Sequence, residues 1–178
     1  MFHEVSHGMG IKNTINGKGS ARKALKEKYS AIEEGKADIL GLYLVTKLNE
    51  MGEFNDTDLM DNYVTFMAGI FRSIRFGASS SHGRANLIRY NYFKDKEAFT
   101  LNADGTFTVN FEKMQEAMNS LSSLIITLQG NGDYEGTTKL IQEKGVIGTE
   151  LQSDLDKLKT ANIPVDIVFE QGPQVKGL

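Results

Sequence analysis

A mainly α fold with one small β-hairpin and an extended C-terminal arm is what these residues predict. Three observations lead there. Long stretches carry apolar residues at helical spacing, punctuated by glycine and asparagine. Asn102-Ala103-Asp104-Gly105 lies between two short runs of β-formers, and Asp-Gly in that setting marks a tight hairpin. Ile163 to Glu170 has no helical spacing and reads as a strand or arm.

The elements follow in order. A first helix holds His3 and His7, and Gly8 to Ser20 leaves it as a glycine-rich loop or linker. Ser20 is placed to cap a long helix running from Ala21 to about Met51. Its second half, Ile39-Leu40-Gly41-Leu42-Tyr43-Leu44-Val45, is apolar almost all round and belongs in the core. Asn55-Asp56-Thr57-Asp58 caps a helix over about Leu59–Phe76, with Tyr63, Phe66, Met67, Ile70, Phe71 and Ile74 apolar. Gly77 ends it. The serines at 79–81 cap a helix running to about Lys96. After the hairpin, helices are expected over about Phe111–Gln129, Tyr134–Lys144 and Thr149–Thr160.

Composition narrows the function classes. At 178 residues the chain can bury the core of one domain, so residues 1–178 are read as a single helical unit. A net charge of −3 gives no electrostatic case for nucleic acid or an anionic membrane as partner. No run of 18 apolar residues and no signal-peptide pattern occurs, and a cytoplasmic location is expected. The absence of cysteine removes disulfides and thiolate chemistry.

The chemistry concentrates in His3-Glu4-Val5-Ser6-His7. Residues four apart on a helix lie one turn above each other, so His3 and His7 share a face and can grip one metal ion. Imidazole nitrogen suits zinc. Glu4 falls beside the metal, where a general base for a metal-activated water belongs. A third ligand must come from another element. Glu34 and Asp38, again four apart, fit: Glu34 as ligand, Asp38 accepting a hydrogen bond from the far nitrogen of a ligand histidine. Gly35 beside Glu34 is expected to let the first helix come close. His82 falls in the first turn of its helix, where the dipole favours neutral imidazole. It reads either as a capping or surface histidine or as a donor to a developing oxyanion.

His3-Glu4-Val5-Ser6-His7-Gly8-Met9-Gly10 with Glu33-Glu34-Gly35-Lys36-Ala37-Asp38 resembles the dipeptidyl peptidase III family of zinc peptidases, in its bacterial form. The resemblance implies a helical zinc-peptidase catalytic lobe, the C-terminal part of the family's catalytic region, with a peptide as substrate. It implies zinc on His3, His7 and Glu34, Glu4 as general base, Glu33 and Asp38 as carboxylates behind the ligands, and His82 as transition-state stabiliser. One departure is that two residues separate Glu4 from His7, where better-known eukaryotic members have three. Another is that Asn86 stands where the family has an arginine, so that role does not carry over, and Arg84 is a candidate to take it by reaching round the first turn. The family also implies an upstream lobe or domain of the same protein as partner. Some bacterial relatives carry a nudix-type domain there, but its Arg-Glu-x-x-Glu-Glu core is not in this sequence. The rival expectation is a zinc-binding helical fragment or interaction module without turnover when separated from that lobe.

Overall fold

Tyr29–Glu50 forms a 22-residue helix, α3, around which the other elements are laid in the computed structural model, which describes residues 1–54 and 58–166. Its buried residues, among them Ile32, Gly35, Ala37, Ile39, Leu40, Leu42 and Thr46, run round most of its circumference, as its apolar second half requires. Two short helices precede it, α1 (Phe2–His7) and α2 (Ala21–Leu25). Four longer ones follow in the same unit: α4 (Leu59–Ile74), α5 (Ser81–Asp95), α6 (Phe111–Asn131) and α7 (Tyr134–Lys144). All but α7 pack directly on α3. The chain divides into two compact units, Met1–Ile147 and Gly148–Leu178, the second containing helix α8 (Thr149–Thr160).

The caps explain the starts. Ser20 accepts a hydrogen bond from the Lys23 amide, Asp58 from Met60, Ser80 from Gly83, Asn110 from Lys113 and Asp133 from Gly136. Residues 55–57 of the expected Asn55–Asp58 cap lie outside the described residues. Helix α4 buries Leu59, Tyr63, Met67, Ile70 and Ile74. Phe66 and Phe71 are half-buried, and their rings meet Phe93 and Tyr90. Thr46 of α3 donates to the Leu42 carbonyl, and its hydroxyl also lies 3.0 Å from the Tyr63 hydroxyl, tying α3 to α4 inside the core.

The hairpin forms where Asp-Gly predicts it. Strands β1 (Phe99–Leu101) and β2 (Phe107–Val109) pair antiparallel, Phe99 opposite Val109. The Asp104 carboxylate accepts from the Thr106 amide and hydroxyl, and Gly105 takes φ +84°. Phe99 and Phe107 seat the hairpin against Tyr90 and Phe71.

Four expectations need correction. The helix expected from Ala21 to Met51 is broken: a 3₁₀ turn over Lys26–Lys28 separates α2 from α3, and Lys26 has φ 51°. Two helix ends also move, α4 stopping at Ile74 and α6 continuing to Asn131. The loop 8–20 is not a free linker. Ile15 donates to the Gly130 carbonyl, and Asn16 and Lys18 both donate to that of Asn131, so the loop satisfies the end of α6. Finally, residues 163–166 form no strand, and the rest of the expected arm lies outside the described residues. No helix among the described residues is long and apolar enough to cross a membrane.

Candidate metal centre

Helix α1 has only six residues, too few to be stable alone, so its position comes from packing. It lies across α3 at Gly41, where an added Cβ would sit 3.4 Å from the His3 nitrogen and the Phe2 carbonyl carbon. Gly35, expected to make that approach, faces Ile125 and Ala85 instead. The end of α1 is fastened by Lys36, whose ammonium donates to the carbonyls of Met9 at 2.7 Å and His7 at 3.3 Å. A cation on the last carbonyls of a helix satisfies them and suits the dipole.

This docking brings three ligand-type atoms together. His3 Nε2 and His7 Nε2 are 3.1 Å apart, and Glu34 Oε2 lies 3.3 Å from the first and 3.5 Å from the second. Bonds of about 2.0–2.1 Å to a tetrahedral zinc would place ligand atoms about 3.3 Å apart. The other imidazole nitrogens decide the protonation. His3 Nδ1 is 2.6 Å from Asp38 Oδ1, and His7 Nδ1 is 3.1 Å from Glu33 Oε1. An ionised carboxylate only accepts, so each Nδ1 is placed to donate to its carboxylate, and in a neutral imidazole that leaves Nε2 free to ligate. Glu34 Oε2 is buried with no hydrogen-bond partner among the described residues. Three ligand-type atoms thus converge, an arrangement that a cation would satisfy.

Each carboxylate behind a histidine is backed by a buried cation. Glu33 pairs with the Lys36 ammonium at 2.8 Å and accepts from the Gln129 amide at 2.8 Å. Burial pushes the Glu33 carboxyl up, but hydrogen bonds from Lys36, His7 and Gln129 and the Lys36 charge outweigh it and hold it below its ordinary value. Asp38 pairs through Oδ2 with Arg89 Nη1 at 2.5 Å. Burial pushes the Arg89 guanidinium down, opposed by the charges of Asp38 and Glu34.

No protein-family model matches the chain. Solved structures similar to it in fold and sequence include two dipeptidyl peptidases III. Dipeptidyl peptidase III from Caldithrix abyssi is 36% identical with a TM-score of 0.88, over 98% of this chain and 34% of that one. Dipeptidyl peptidase III from Corallococcus sp. strain EGB is 41% identical with a TM-score of 0.85, over 94% of this chain and 31% of that one. In fold and sequence the chain is similar to one segment of dipeptidyl peptidase III. It spans about a third of the length of those structures. It is also 41% identical over 169 residues to Nudix hydrolase 3 of Arabidopsis thaliana, matching 93% of this chain but 22% of that protein.

The remaining expected residues lie as follows. Glu4 is exposed on α1. His82 opens α5 with its side chain 66% exposed, and its Nδ1 lies 3.4 Å from Glu34 Oε2. Arg84 turns to the Ala78 carbonyl. Asn86 donates to the His82 carbonyl at 2.8 Å and accepts from Arg89 Nη2 at 2.6 Å. A cavity of about 270 Å³ lies beside His3, lined by Phe2, Leu42, Val45, Thr65 and Phe66 among others.

Sequence reasoning passed over Arg89, Lys36 and Gln129. Arg89 left one signal, a charge in the apolar run Leu87-Ile88-Arg89-Tyr90. Lys36 stood inside the Glu-Glu motif without an assigned partner, and Gln129 left no signal.

Proposed function

We propose that this chain carries the zinc centre of a peptidase of the dipeptidyl peptidase III kind. The convergence of His3 Nε2, His7 Nε2 and the orphaned Glu34 Oε2 is the observation that carries the reading. His3, His7 and Glu34 would hold the metal. Zinc held there would supply Lewis-acid polarisation and lower the pKa of a bound water towards about 7. Asp38 and Glu33 hold the two imidazoles in the Nδ1–H tautomer, as their 2.6 and 3.1 Å contacts allow. Glu4, exposed one residue after His3, takes the proton of the attacking water and returns it to the leaving amine nitrogen. His82, beside Glu34, donates to the oxygen that gains charge. The cavity beside His3 gives an apolar side chain of the peptide room next to the metal.

The nudix name of the plant relative does not redirect this reading, because the aligned part is 22% of that protein and this chain has no Arg-Glu-x-x-Glu-Glu core. A second reading has its own support. The chain spans about a third of its structural relatives, so it serves as a zinc-binding module without turnover if substrate is held by parts outside it. One experiment separates the two. Zinc content is measured by elemental analysis of protein purified without added metal, and hydrolysis of dipeptidyl substrates is followed for wild type and Glu4→Gln. One zinc per chain with hydrolysis lost only in Glu4→Gln supports the peptidase. Zinc without hydrolysis supports the module, and a chain that binds no zinc refutes both.

A further inference from the structure

Arg89 lies in the middle of α5 with its side chain 3% exposed, and stacks within 5.5 Å of the Phe66 ring centre. Burying a guanidinium costs several kcal/mol unless its donors are used. Nη2 is used in a hydrogen bond and Nη1 in an ion pair, while Nε has no hydrogen-bond partner among the described residues. Nη1 meets Asp38 Oδ2 on α3 at 2.5 Å, and Nη2 donates to Asn86 Oδ1 at 2.6 Å. The contacts continue in both directions. Asp38 Oδ1 holds His3 Nδ1 at 2.6 Å, and Asn86 donates to the His82 carbonyl at 2.8 Å. One planar fork therefore links the carboxylate behind a ligand of α1 to the first turn of α5. A lysine ammonium is a point donor without that fixed two-pronged geometry.

We infer that Arg89 is a positioning residue of the metal centre, fixing Asp38 against His3 and, through Asn86, the turn that carries His82. The inference rests on the zinc reading of His3, His7 and Glu34. Without Arg89, Asp38 is free to rotate, and His3 loses the partner that sets its tautomer and ring angle.

A double-mutant cycle on the full 178-residue chain tests this, with zinc itself as the probe. Zinc dissociation constants are measured by chelator competition for wild type, Arg89→Met, Asp38→Asn and the double variant. Arg89→Met is expected to weaken zinc binding about 10–100-fold in the wild-type background, as lost support behind a ligand does. In the Asp38→Asn background the same change should cost less than about twofold, because its route to the metal has gone. Equal losses in both backgrounds, or no loss in either, overturn the inference. A merely structural arginine would lower the melting temperature of the metal-free chain without making its effect on zinc depend on Asp38. Wild type that binds no zinc refutes the zinc reading. Zinc-binding wild type with no coupling refutes the role of Arg89 alone. Should circular dichroism show Arg89→Met unfolded, the cycle is run with Arg89→Lys, and the same dependence on Asp38 decides.

Discussion

Glu33 and Glu34 are neighbours in sequence and face different atoms. Glu34 Oε2 faces the two imidazole Nε2 atoms and has no hydrogen-bond partner among the described residues, whereas Glu33 already has Lys36, His7 and Gln129. Glu34→Gln is therefore expected to abolish zinc binding, and Glu33→Gln to weaken it about 10–100-fold. Isothermal titration with zinc checks both, and the reverse order would move the ligand one residue back. Lys36 is the most exacting of these partners, with its side chain 3% exposed. Lys36→Met should cost about 3 kcal/mol in urea denaturation, since it strands Glu33 and two carbonyls. A loss under about 1 kcal/mol would show that Glu33 finds other compensation. That His3 and His7 share one face, and Glu34 and Asp38 another, was legible because four-residue spacing fixes a face before any tertiary structure is known, while the meeting of the two faces was expected from the resemblance to the family. Arg89 and Gln129 were not, since no local rule brings residues 51 and 96 positions away onto Asp38 and Glu33.

Among the elements, those with local signatures were read almost to the residue. The Asp-Gly hairpin, the Ser80 cap and α8 depend on short-range chemistry that the sequence spells out. The break at Lys26 was not visible, because Lys26-Glu27-Lys28 is made of good helix formers and only packing elsewhere can turn the chain there. A non-glycine residue at φ 51°, ψ −131° costs about 1–3 kcal/mol. Lys26→Gly should recover about 1 kcal/mol, less the contact of its ammonium with the Tyr134 ring, and raise the melting temperature by about 2–4 °C. A lower melting temperature would mean that the ring contact outweighs the strain. Gly41 gives the opposite case. A branched side chain there meets the backbone of Phe2 and His3, so Gly41→Val should displace α1. Zinc affinity is then expected to fall more than tenfold, with circular dichroism unchanged. Unaltered affinity would show that α1 can shift without moving its ligands.

For the molecule as a whole, the proposed metal is a cross-link between the six-residue helix α1 and the central helix α3. Helix α1 supplies two of the three donors, α3 the third, and six residues cannot hold a helix without outside contacts. Its amides should therefore open far more often than those of α3, at a free energy well below that of global unfolding. On the proposed reading zinc would bind only the closed form, in which His3, His7 and Glu34 meet, so free zinc at about 1,000 times its dissociation constant would stabilise that form by about 4 kcal/mol. Most of this gain is expected in local opening, since α1 can detach while the core around α3 stays folded. Hydrogen exchange by mass spectrometry, with chelator and with zinc, separates the contributions. Protection in a peptide covering residues 2–9 should rise by two to three orders of magnitude with zinc, while that over residues 111–131 changes little. An equal rise in both would show that α1 and the core open together. No rise in either would mean that these three donors do not bind zinc, and that Asp38 and Glu33 orient the histidines for another purpose.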